Sequence, residues 1–189
     1  MEGNIWPVIR FCEMKNFILV LLLICGGSLL AQTSVGSWRS HLPKSNFTMI
    51  EHLDSKIFGA NRYGLVVYDR SDESIQDLSK INHLSQTGTS SFRCSDLNGM
   101  CIVGYQDGSV DIIDVQNNVT NQPAIANAAI VGDKVINDII FEDQTALILT
   151  GVGAVRMQLS SLNILEYSLI NIDGQNTGID EGIVFNNDL

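Results

Sequence analysis

Three hairpin signals recur along the chain, each an apolar run, a glycine-containing turn and a second run, with turn glycines Gly64, Gly108 and Gly153 spaced 44 and 45 residues apart. A repeat of about 40–45 residues that holds several short strands is the size of one propeller blade, and typically about four to eight blades close a ring. The period therefore constrains the architecture more than any single residue does.

Aligned on those glycines, the strand after each turn carries Val66, Val110 and Val155, then Tyr68, Ile112 and Met157, an apolar set in every copy. The intervening positions are mixed: Leu65, Ser109 and Ala154, then Val67, Asp111 and Arg156. This alternation predicts a half-buried strand. Before each turn, Phe58-Gly59, Ile102-Val103 and Leu147-Ile148 place small or apolar residues consecutively, which predicts a strand covered on both faces, as the second strand of a blade is. Earlier strands are predicted over residues 47–52, 89–93 and 135–141, and outer strands over 74–78 and 163–170. The outer strand of the second unit is weak, because 117–123 is loop-like and ends in Pro123, which only an edge tolerates.

Residues 178–185 match the innermost strand of a fourth unit, and no hairpin follows before Leu189. The expected fold class is thus all-β: a partial β-propeller of about three blades plus the first strand of a fourth, over 32–189, as the N-terminal piece of a longer protein. A jelly roll or other sandwich explains short strands but not the constant spacing.

A different kind of segment comes first. Met14-Lys15-Asn16, the apolar run 17–24 and the small-residue exit 28–31 predict a secretory signal peptide over residues 1–31. The run stops at Cys25-Gly26-Gly27, short of the ~20 residues a membrane span needs. Glu2 and Glu13 sit where positive charge is expected, so Met14 is a candidate start. The chain carries a net charge of −10 with its bases scattered singly, which argues against nucleic acid as a partner, since phosphate binding needs clustered Lys and Arg.

Past the leader only Cys94 and Cys101 remain, flanking a turn. Export permits a disulfide, and two buried small hydrophobes fit the spacing equally. His41, His52 and His83 stand apart, so no zinc ligand set is visible.

Chemistry-bearing pairs are sparse. The acids of Asp72-Glu73, Glu142-Asp143 and Asp180-Glu181 fall in predicted turns or strand ends, where solvated turn chemistry is the ordinary role. Ser90 and Ser91 lack a nucleophile-elbow setting. No catalytic, cofactor-binding or metal-ligating residue is nominated, and the expectation is a protein that is not an enzyme. Arg62, Tyr63, Gln106 and Asp107 occupy hairpin turns expected on one rim of the ring; no binding residue is nominated among them. Asn46-Phe47-Thr48 and Asn118-Val119-Thr120 match glycan-acceptor spacing, a weak signal.

The segment Val35-Gly36-Ser37-Trp38-Arg39-Ser40-His41-Leu42-Pro43, with residues 80–88, 104–112 and 135–139, resembles the N-terminal propeller of PorZ-like surface proteins of the type IX secretion system of Bacteroidota. The resemblance implies a non-catalytic adaptor, exported to the periplasm or outer-membrane surface. Its implied partners are other secretion-complex proteins such as a sortase-like protease, lipopolysaccharide, and the remaining blades of a longer chain. The alternative is the extracytoplasmic sensor propeller of a two-component regulator. Such blades usually carry Trp in the second strand, where this chain has Phe58, Ile102 and Leu147.

Overall fold

The second strand of each repeat organises the structure, a computed structural model that describes Pro43 and residues 45–183. The predicted leader (1–31), His41 and most of the 35–43 segment lie outside the described residues.

Blade one is a meander of β1 (Met49–Leu53), β2 (Lys56–Asn61), β3 (Gly64–Asp69) and β4 (Ser74–Ser79). Blade two repeats it with β5 (Thr89–Ser95), β6 (Met100–Tyr105), β7 (Val110–Asp114) and β8 (Val119–Gln122). Blade three has β9 (Ile136–Glu142), β10 (Thr145–Thr150), β11 (Gly153–Gln158) and β12 (Ile164–Ile172), extended at its edge by β13 (Gln175–Thr177). Every pairing is antiparallel. The innermost strands follow one another in space, β1 beside β5 and β5 beside β9, which is the blade arrangement the glycine period predicts. No helix among the described residues is long and apolar enough to cross a membrane.

Two cores lie between blades. Leu53, Phe58, Ala60, Leu65 and Val67 of blade one meet Phe92, Cys101, Val103, Tyr105 and Ile113 of blade two. The Phe58 and Phe92 rings tilt together with centroids 5.8 Å apart. Ile102, Val110 and Ile112 on the other face of blade two meet Ile136, Ile139, Ala146, Ile148, Val155 and Met157 of blade three. Each fully buried aliphatic or aromatic side chain contributes ~1.5–3 kcal/mol of transfer free energy. Strand β6 serves both cores and is the doubly covered strand that its apolar run predicts: Cys101 to Tyr105 are all buried. In β2 the prediction holds on one face only, since Ile57 is exposed while Phe58 and Ala60 are buried.

The pairing corrects the repeat alignment by one residue in the second unit. Gly64 closes its hairpin opposite Asn61 and Gly153 opposite Thr150, whereas Gly108 is an extra turn residue whose N–H bonds the Tyr105 carbonyl. Ser109, whose carbonyl accepts from Tyr105 N–H, therefore takes the structural place of Gly64 and Gly153. A slip of one residue exchanges the faces of a strand. Asp111 and Ile113, not Val110 and Ile112, consequently share the face of Val66, Tyr68, Val155 and Met157. Val110 and Ile112 point instead toward blade three. Gly108 has φ +85, the left-handed region, and a Cβ there would lie 2.8 Å from Lys134 Cβ.

Other expectations are adjusted at the edges. The weak outer strand of the second unit exists as β8, but it stops at Gln122, and Pro123 opens a single helical turn, α1 (Ala124–Asn127). Residues 178–183, read as an inner strand, carry no strand pairing; they run past β10 and β9 with Ile179 N–H donating to the Thr150 carbonyl (3.0 Å). The rest of that predicted strand lies outside the described residues. Cys94 and Cys101 stand opposite each other across β5 and β6 and form a disulfide, with Cα atoms 4.0 Å apart.

Candidate functional site

The rim turns come together as their positions in the hairpins require. Gly88, in the connection from β4 to β5, donates its N–H to the Arg62 carbonyl (2.7 Å) and accepts from Gln106 N–H (3.1 Å). The turns of blades one and two and the link between them thus share one end of the sheet stack. Asp107 is committed to its own turn, accepting from Ser109 N–H (2.9 Å) and Ser109 Oγ (2.5 Å). Arg62 and Tyr63 are exposed, and the Arg62 guanidinium sits 5.4 Å from the Tyr63 ring centroid.

The inner strands create a concavity of about 390 Å³, whose chemistry centres on Arg93 in β5. One guanidinium nitrogen lies 3.2 Å from Glu51 Oε1 in β1, and the other 3.2 Å from Asp138 Oδ1 in β9. A single cation therefore ties three successive inner strands. Its side chain is 47% exposed, so solvent screening keeps each pair weak. Asn137 faces the same hollow and donates to the Ile179 carbonyl (2.9 Å) and Asp180 Oδ1 (3.3 Å), which holds the 178–183 segment against β9. The sequence reading missed Arg93. The available signal was one base in the inner strand of unit two and acids in the inner strands of its neighbours.

The most heavily bonded polar group among the described residues lies deeper. The Asp111 carboxylate, fully buried, accepts from Tyr105 OH (2.6 Å), Ser85 N–H (2.8 Å), Ser85 Oγ (2.7 Å) and Asn121 Nδ2 (2.9 Å). Such a carboxylate is tolerated in an interblade core because its lone pairs are filled by donors. Burial raises the Tyr105 phenol far above its ordinary range, and the adjoining carboxylate adds to the rise. The cluster joins the blade-one-to-two connection to β6, β7 and β8; its chemistry is that of a structural anchor.

The remaining sequence candidates disperse. Asp72 accepts from Ser74 N–H in the β3–β4 turn, Glu142 pairs with Arg156, and Asp180 is held by Asn137. Ser90 Oγ donates to the Ile136 carbonyl (2.7 Å). His52 approaches Asp96 at 3.6 Å on the surface, and His83 lies by Gln76. Among the described residues no group of three or more His, Cys, Asp or Glu is placed to hold a metal ion.

Residues 57–184, more than half the chain, match the family model of the PorZ N-terminal β-propeller domain of the type IX secretion system. Among solved structures, PorZ, described as an essential bacterial surface component of that system in Porphyromonas gingivalis, superposes with a TM-score of 0.57 at 23% identity, over 62% of this chain and 16% of that one. The extracellular domain of the putative one-component system BT4673 of B. thetaiotaomicron gives 0.56 at 14% identity, over 74% and 19%. AztD from Citrobacter koseri gives 0.51 at 12% identity, over 77% and 42%. At these identities the structural likeness shows the fold. The chain spans less than a fifth of the PorZ and BT4673 chains it matches. No curated protein matches it.

Proposed function

The chain belongs to the family of PorZ N-terminal β-propeller domains of the type IX secretion system, and from that membership we propose that it serves a secretion complex as a non-catalytic adaptor module outside the cytoplasm. The observation that carries the reading is the family match over residues 57–184, from β2 of blade one through blade three. The geometry fits a scaffold. Its polar side chains are spent on holding blades together, Arg93 across three inner strands and Asp111 within an interblade core. On this reading the partners are the other proteins of the complex, including a sortase-like protease that performs the chemistry, and lipopolysaccharide as the attachment target.

The experiment is deletion of the gene in its own bacterium, with cargo followed by fractionation and surface labelling. The adaptor reading expects cargo stranded in the periplasm, restored by the intact gene. Undiminished cargo on the surface of the deletion strain would refute it. Loss of a transcriptional response with cargo display intact would instead support a sensor propeller, a role for which this structure offers only the shared fold.

A further inference from the structure

At the rim of blade one a cleft of about 550 Å³ opens between Pro43 with residues 45–48, the β2–β3 turn and the start of β5. Its volume is within the ~300–1,000 Å³ of small-molecule sites. Three observations give it a specific chemistry. Arg62 is the one charged residue among the described residues that line it, in a chain of net charge −10. Arg62 enters no ion pair among the described residues, unlike Arg93, which two carboxylates neutralise. Its guanidinium lies over the ring of Tyr63, itself 47% exposed, an arrangement that restrains the fork without using its donors on a carboxylate.

The walls are also tied in place. The Asn61 side chain donates to the Pro43 carbonyl (3.0 Å) and accepts from Tyr63 N–H (2.9 Å), linking the two sides of the cleft through one amide. Thr89 in the wall keeps its Oγ1 buried without a hydrogen-bond partner among the described residues, the kind of unpaired polar group that is uncommon in folded proteins. The equivalent turns of the other two described blades, Gln106-Asp107 and Gly151-Val152, carry neither a cation nor an aromatic ring, so among the three described blades the feature belongs to blade one.

We propose that this cleft binds an anionic group, carboxylate or phosphate, carried on a flat ring, with the Arg62 fork bonding the anion and Tyr63 and Pro43 covering the ring. The proposal does not depend on the adaptor reading, since it concerns what the cleft recognises and not what the complex does.

The test is titration of the isotope-labelled chain with benzoate, phenyl phosphate and neutral benzyl alcohol, followed by the amide resonances of Arg62, Tyr63 and Gly88 and the side-chain Nε–H of Arg62. Both anions should give saturable shifts at these positions, and benzyl alcohol should bind ~tenfold or more weakly, as loss of a charge-assisted hydrogen bond implies. Comparing benzoate with phenyl phosphate shows which anion the fork prefers. Arg62→Gln should weaken both anions by ~tenfold with an unchanged melting temperature, because the side chain is exposed. Tyr63→Ala should weaken phenyl phosphate and leave inorganic phosphate unaffected. Saturable binding that persists in Arg62→Gln, shifts centred on Arg93, or no saturable shift with either anion would each overturn the proposal.

Discussion

Replacing Tyr105 by Phe tests the anchor at the interblade core with almost no change in shape. The ring is fully buried, so its packing against blade one is retained; what disappears is the donor 2.6 Å from Asp111 Oδ2. Asp111 keeps Ser85 N–H, Ser85 Oγ and Asn121 Nδ2, so the carboxylate remains bonded but loses its shortest donor. A hydrogen bond to a charged group contributes ~1.5–3 kcal/mol, which sets the expected loss at about 2 kcal/mol. For a domain of this size 1 kcal/mol moves the melting temperature by ~2–4 °C, so the variant should melt about 4–8 °C lower. Urea unfolding should show a lower midpoint with an unchanged slope, since the surface exposed on unfolding is the same. Tyr63→Phe is the control: its hydroxyl makes no hydrogen bond among the described residues, and it should melt within ~1 °C of the parent, as surface substitutions do. A Tyr105→Phe variant that melts with the parent would refute the assignment of Asp111 as a carboxylate that depends on its buried donors.

Gly108→Val should destabilise far more than Thr120→Val on exposed β8, because Gly108 combines φ +85 with a Cβ position 2.8 Å from Lys134 Cβ; equal melting temperatures would contradict the turn geometry. Cys94→Ser should cost about 2–3 kcal/mol, the loop-closure contribution of so short a cross-link, and reductant should lower the parent toward the variant while leaving the variant unmoved. Asp114 feels a raising effect from burial that is outweighed by hydrogen bonds from the Asn118 side chain and from Asn118 and Gln116 N–H, so its pKa falls below 3.8. A depressed carboxyl pKa stabilises fully above the ordinary value and loses that contribution as pH falls through the folded one. Asp114→Asn should therefore flatten the stability decline as pH falls below about 4 in acid titration; an unaltered slope would remove Asp114 from the account.

What could be read without coordinates followed from local rules. Glycine turns, consecutive apolar runs and turn-formers between them placed the strands of three blades, because each depends on neighbours within a dozen residues. The readings that failed depend on distance. Aligning on Gly108 took it for the counterpart of Gly64, and only the pairing of Tyr105 with Ser109 reveals the additional turn residue that carries Asp111 to the covered face. An aspartate read as half-exposed is tolerable in the core because Ser85, 26 residues earlier, supplies two donors. Arg93 finds its acids 42 residues before it and 45 after, in separate blades. The Arg62–Tyr63 turn was visible, yet its difference from the other turns rests on what faces it: Pro43, Asn61 and Thr89.

Strand β6 packs against blade one through Cys101, Val103 and Tyr105 and against blade three through Ile102, and it is pinned to β5 by the disulfide. Opening of the sheet stack can begin at either flank, yet both routes reach this strand last. Its amides should be the slowest to exchange with solvent, marking the point at which local fluctuation becomes global unfolding. A side chain removed here loosens two interfaces at once, so Ile102→Ala should lower protection in blade one as well as blade three, although it touches only the latter.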